Sequence, residues 1–219
     1  MIRLVRYGGN PNVGVYSAAN ENIAIISPDA SPDYVNDVEG ALGVTSVLTT
    51  VAGSFTVGSL VAMNSGCAVV SGLAEEAEIE AISSKISVHV LGSRYNAAGN
   101  NILMNDFGAI VNPKMDDVNF ELLEKALGIR CVRSFIAGID TVGSACKATN
   151  KGVICHPGTS DEELELIEST LNAEAKRTTL NHGSKLLGPC LLANSKGAAV
   201  GDITTPIEMG RLEDALNLF

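Results

Sequence analysis

The sequence predicts an α/β fold of five αβ repeats around a pseudo-fivefold axis, closed by the N-terminal strand and the C-terminal helix. Three observations predict it. A Gly-to-Asn phrase recurs five times at near-constant spacing. A helical pattern and a further β-segment follow it. The last repeat lacks its final strand, and the first residues supply one of matching sequence.

The phrase carries the first two strands of each unit. A turn-forming Asn stands at Asn20, Asn64, Asn105, Asn150 and Asn194, at intervals of 44, 41, 45 and 44 residues. Six or seven residues before each stands a glycine: Gly14, Gly58, Gly99, Gly143 and Gly188. Runs such as SLVAM (59–63) and PCLLA (189–193) fill the gap. The runs IAIIS (23–27), CAVVS (67–71), AIVNP (109–113), VICHP (153–157) and AAVGD (198–202) follow the turn. Two short apolar runs joined through Asn and Gly read as a hairpin, the turn residues tolerating positive φ at low steric cost.

Helices come next. Ser31-Pro32 offers a cap and a first-turn proline ahead of Val35, Val38 and Leu42. Asp116 precedes Phe120, Leu123 and Leu127; Ser160 and Glu163 form a capping-box pattern before Leu164, Ile167 and Leu171. Thr205, Pro206 and Glu208 do the same before Leu212 and Leu216. The helix near 74–86 shows no clear cap but keeps Ile79, Ile82 and Ile86 in register. Gly43 and Gly128, in the phrases EGALGV and EKALGI, are natural C-caps.

A third strand then closes each unit: 44–49, 86–91, 129–135 and 176–180. The fifth helix runs to the end of the sequence without one. Ile2-Arg3-Leu4-Val5-Arg6 matches Ile129-Arg130-Cys131-Val132-Arg133, so the opening residues are expected to complete the fifth unit. An open repeat array needs polar caps at both ends, whereas a chain closed this way needs none.

Composition bounds the function. The 219 residues are 46% hydrophobic with 22 glycines and only 4% aromatics, so small and β-branched side chains must build the core. A formal charge of −10 repels phosphate and disfavours DNA or broad electrostatic RNA binding; contact with RNA would be mediated mostly by basic protein. No apolar run approaches the ~18 residues of a membrane helix. The start, MIRLVRY, lacks a signal peptide's apolar block. Five cysteines without a CxxC pair point to a reducing cytoplasm, buried thiols and no zinc. Neither GNN (99–101) nor GGN (8–10) has a phosphate-loop frame, and no cofactor or metal is expected.

The repeats, their turns and the split closure resemble translation initiation factor six, the ribosome anti-association family. NENIAIISPDAS (20–31), GSLVAMNSG (58–66), NDFGAIVNP (105–113), TVGSACKATNKGVICHPGTSDEEL (141–164) and NHGSKLLG (181–188) carry the resemblance across the whole chain. It implies a single pentein ring over 1–219, of the archaeal type without the eukaryotic tail. It also implies a monomer that docks on the large ribosomal subunit, mainly on a ribosomal protein near a conserved RNA loop. There it would keep the small subunit away and act in large-subunit maturation.

Fivefold geometry places the positions after the five glycines on one rim: Val15, Ser59, Asn100, Ser144 and Pro189. Each alone reads as a solvated turn residue; five different residues in equivalent slots read as a recognition surface. Ser59 and Asn100 best match the family's docking face. The alternative is a pentein enzyme modifying guanidino groups through a Cys nucleophile, a His and carboxylates. Cys155 and His156 are adjacent in a strand, however, and so point to opposite faces.

Overall fold

A computed structural model describes residues 1–92 and 94–219. The chain opens on strand β1 (Ile2–Val5). The first unit holds a hairpin of β2 (Ser17–Ala19) and β3 (Ile23–Ile26), helix α1 (Pro32–Leu42) and strand β4 (Thr45–Leu48). The second begins with a single helical turn, α2 (Val57–Leu60), and continues through β5 (Val61–Met63), β6 (Cys67–Ser71), α3 (Glu76–Ser83) and β7 (Ser87–Leu91). The third repeats the plan with α4 (Ala98–Asn101), β8 (Ile102–Met104), β9 (Gly108–Val111), α5 (Asp117–Leu127) and β10 (Arg130–Arg133). The fourth has α6 (Val142–Ala145), β11 (Lys147–Ala148), β12 (Gly152–Cys155), α7 (Asp161–Leu171) and β13 (Glu174–Arg177). The fifth has β14 (Leu191–Ala193), β15 (Ala198–Gly201) and α8 (Pro206–Leu216). In the first and fifth units 3-10 turns, Val13–Val15 and Gly188–Cys190, replace the short α-turn.

The strands form five three-stranded sheets of one design. In each, the middle strand pairs antiparallel with its hairpin partner and parallel with the strand beyond the helix, as in β2-β3-β4. The fifth sheet takes its outer strand from the start of the chain: β1 pairs parallel with β15, Ile2 opposite Ala198 and Val5 opposite Gly201.

Local chemistry explains the elements. Ser31, Asp116, Ser160 and Thr205 each accept a hydrogen bond from the backbone N–H three residues on, capping α1, α5, α7 and α8. The unclear cap of α3 resolves differently: the Glu78 carboxylate reaches back to the Glu75 N–H at 2.8 Å. Gly43 and Gly128 end their helices in the left-handed region at φ 61° and 64°. Asn172 and Asn217 do the same for α7 and α8 at φ 49° and 52°.

Three expectations need correction. The hairpin turns do not use positive φ, since none of their residues adopts it. Instead Asn20 Oδ1 accepts from the N–H groups of Asn22 and Ile23, and Asn64, Asn105 and Asn194 act alike. In the fourth unit that acceptor is Thr149 Oγ1, not Asn150, which sits one residue later. The strand expected at 176–180 lies at Glu174–Arg177, because Asn172 ends α7 where Gly43 and Gly128 end theirs.

The core is five wedges, each shared between neighbouring units. Leu192 and Ala199 of the fifth unit pack with Val38 and Leu42 of α1, and Leu103 and Ile110 of the third with Ile167 and Leu171 of α7. Each fully buried Leu or Ile contributes about 1.5–3 kcal/mol. Because the apolar face of each unit is covered by the next, no unit buries its own core alone.

Candidate functional site

The five glycines ahead of the hairpins meet at one end of the molecule. A Cβ on Gly58 would lie 2.0 Å from the Gly14 carbonyl oxygen, and one on Gly99 2.0 Å from that of Gly58. The series continues from Gly143 to Gly99 at 2.2 Å, Gly188 to Gly143 at 2.1 Å and Gly14 to Gly188 at 2.1 Å. The contacts therefore run in cyclic order through all five units, and only glycine permits such backbone approach.

The helical turns built on these glycines carry Val15, Ser59, Asn100, Ser144 and Pro189. All five are thus gathered on one circle of touching segments. They are not the free loop residues expected. Val15, Ser59, Asn100 and Pro189 are half-buried, and Ser144 is buried with its hydroxyl donating to Asn100 Oδ1 at 3.1 Å. Beside this circle a groove of about 340 Å³ is lined by Tyr95, Asn101, Asn112 and the ion-paired Lys114 and Asp140.

Tight turns lead into the helical turns, and carboxylates brace them, Glu78 and Glu208 buried and Glu163 half-buried. Ala52-Gly53 and Ala137-Gly138 both have positive φ. Glu78, at the start of α3, accepts from the N–H groups of Ala52 and Gly53 and from the Thr50 hydroxyl, at 2.7, 2.9 and 2.5 Å. Glu163 takes the Ala137 N–H, and Glu208 takes those of His182 and Gly183 with the Thr179 hydroxyl. Each Glu also closes its own helix's capping box, so one side chain fixes a helix start and the loop before the next hairpin. Sequence reasoning found the boxes at Glu163 and Glu208 but not this second use. The recurring spacing of 25 or 26 residues from loop N–H to Glu was the available signal.

Burial alone would raise the Glu208 carboxyl, but hydrogen bonds from Thr205, Thr179 and Gly183 outweigh it and hold it at about 2. A depressed carboxylate stabilises the fold above its unfolded value of 4.5, and that stabilisation is lost as pH falls towards 2. Glu208→Ala is expected to cost about 1–3 kcal/mol at neutral pH, by stranding buried donors. It should also flatten the pH dependence of urea unfolding between pH 4.5 and 2.

At the other end the hairpin turns interlock. Asp106 accepts from the Ser65 N–H and hydroxyl and from Asn150 Nδ2; Glu21 accepts from the Ser195 N–H and hydroxyl. These acids are structural. The cysteine thiols are enclosed as well. All five thiols are buried, and burial raises Cys67, Cys131 (to about 12) and Cys190. Contact with the Cys146 thiol, together with burial, pushes Cys155 well above the ordinary range. His156 Nδ1 accepts from the Gly158 N–H at 2.9 Å and closes a turn. Among the described residues no cluster of three or more His, Cys, Asp or Glu is placed to hold a metal, and no helix is long and apolar enough to cross a membrane.

The sequence matches the eIF-6 family over residues 2–215. The chain belongs to the eIF-6 family. It is 45% identical to translation initiation factor 6 of Methanosphaerula palustris, over 98% of this chain and 97% of that protein. The same-named proteins of Methanoculleus marisnigri and Haloquadratum walsbyi are 41% and 39% identical, over 98% and 96% of this chain and 97% and 94% of their own. This eIF-6 family member therefore aligns with those relatives across all five units.

Proposed function

We propose that this protein is a cytoplasmic translation initiation factor that docks on the large ribosomal subunit and keeps the small subunit from joining it, in initiation and in large-subunit maturation. Family membership over residues 2–215 carries the proposal. In this reading residues 1–219 are one closed pentein domain, monomeric on the ribosome. The circle of Val15, Ser59, Asn100, Ser144 and Pro189 is its contact rim, and occupancy is its whole mechanism.

Two physical features support that rim. Its segments are locked by backbone contacts and its approach loops by buried carboxylates, so little ordering remains to oppose binding. The net charge of −10 favours a ribosomal protein over bare RNA as the main contact, with a conserved RNA loop nearby. Sedimentation tests the proposal: the protein should travel with purified large subunits and lower the yield of joined ribosomes. Failure to do either would overturn it.

A further inference from the structure

The fourth hairpin sets two cysteines face to face. Its strands pair with Lys147 opposite Ile154 and Ala148 opposite Val153, which puts Cys146 opposite Cys155 one step further out. The backbone of Cys146 is extended there, at φ -132° and ψ 166°. The other four units make the equivalent pair: Ser17 with Ile26, Val61 with Val70, Ile102 with Val111 and Leu191 with Val200. Both cysteines are fully buried in one core wedge, and their thiols are in contact. Cys67 and Cys131 share another wedge but stand on strands of different sheets, and Cys190 lies in a third wedge.

Position in the ladder decides what such a pair can do. The Thr149 N–H donates to the Gly152 carbonyl, so the pairs alternate outward from there and Cys146–Cys155 falls at a non-hydrogen-bonded place. Pairs of that kind bring their Cα atoms to about 4.5 Å, inside the roughly 4.4–6.8 Å that a disulfide spans. Cys146 also lines a central cavity of about 50 Å³, which has room for water-sized molecules. We propose that Cys146 and Cys155 are a peroxide-oxidisable pair that closes a reversible cross-strand disulfide in the fourth hairpin. The Cys146 sulfur attacks one oxygen of hydrogen peroxide and the O–O bond breaks. This leaves a sulfenic acid on Cys146 and a hydroxide that departs as water with the Cys146 proton. The Cys155 sulfur then attacks the Cys146 sulfur. The S–S bond forms, the S–O bond breaks, and the second hydroxide departs as water with the Cys155 proton. Two thiols are oxidised and one peroxide is reduced. Contact with Cys146 and burial hold Cys155 protonated, so closure is slow, on the order of hours.

Trypsin cuts after Lys147 and Lys151, so Cys146 and Cys155 leave on separate peptides unless a bridge joins them. The test holds the full chain in dilute hydrogen peroxide, unfolds it in iodoacetamide, digests it and weighs the peptides without reductant. Cys67, Cys131 and Cys190 should be alkylated, and the Cys146 and Cys155 peptides should appear as one joined species. Dithiothreitol before alkylation should return all five thiols. The bridge closes a loop of ten residues and should raise the Tm by about 3–6 °C. Cys155→Val installs the residue that Val70, Val111 and Val200 provide in equivalent places, and should fold but show no such rise. Five alkylated cysteines in the peroxide-treated wild type would overturn the proposal. So would a bridge between any other pair, or an equal Tm rise in Cys155→Val.

Discussion

Gly99→Ala should destabilise the protein strongly. The new carbon would sit 2.0 Å from the Gly58 carbonyl oxygen and 2.8 Å from that of Val61. Both are backbone atoms, so no side chain can rotate away, and two neighbouring units must separate. Overpacking of this kind costs about 1–3 kcal/mol where a core can adjust and more where it cannot. We expect about 4 kcal/mol or more, a large part of the roughly 5–15 kcal/mol that holds a domain folded. Gly210→Ala is the matched control. It lies within α8 with nothing inside 4 Å of the added carbon, and should stabilise by about 0.5–1 kcal/mol. Urea unfolding of the two variants measures both effects, and equal effects would remove the glycine circle from the account.

The second large effect concerns docking rather than folding. Ser59→Glu and Asn100→Asp each place a carboxylate on the rim. Asn100→Asp keeps an oxygen to accept the Ser144 hydroxyl, so its Tm should hardly move. A charge introduced into a fitted interface near RNA is desolvated and repelled. Each variant should lose about tenfold in affinity for large subunits, near 1.4 kcal/mol, and the pair more. Ile207→Glu, on a side chain 70% exposed on α8, adds the same charge away from the rim and should bind as the wild type does. Quantitative co-sedimentation reads all four proteins; equal binding by all of them would move the interface elsewhere.

The repeat plan was legible in the sequence because each unit writes its own punctuation. Caps at Ser31, Asp116, Ser160 and Thr205 and the stops at Gly43 and Gly128 are local chemistry, visible without tertiary information. The likeness of residues 2–6 to 129–133 showed where β1 belongs. The strand beginning at Glu174 was misplaced because Asn172 does glycine's work under another name. Thr149 stands in for Asn in the same way, with a hydroxyl where the others use an amide oxygen.

What distant atoms decide was not legible. Gly58 and Gly99 look like ordinary turn glycines until the carbonyls of Gly14 and Gly58, 44 and 41 residues away, are found against them. Glu78 looks like one more exposed helix acid until the Ala52 and Gly53 N–H groups close on it. The five positions Val15, Ser59, Asn100, Ser144 and Pro189 read as turn residues in the sequence, whereas the structure sets them in short helical turns. Burial of Ser144 and its bond to Asn100 depend on the next unit's approach, which no local pattern encodes.

Hydrogen exchange of the protein bound to large subunits tests the docking face most directly. Relative to the free protein, exchange should slow at the helical turns 13–15, 57–60, 98–101, 142–145 and 188–190. Slowing confined instead to the opposite hairpin turns, around Asn20, Asn64, Asn105, Thr149 and Asn194, would contradict the account.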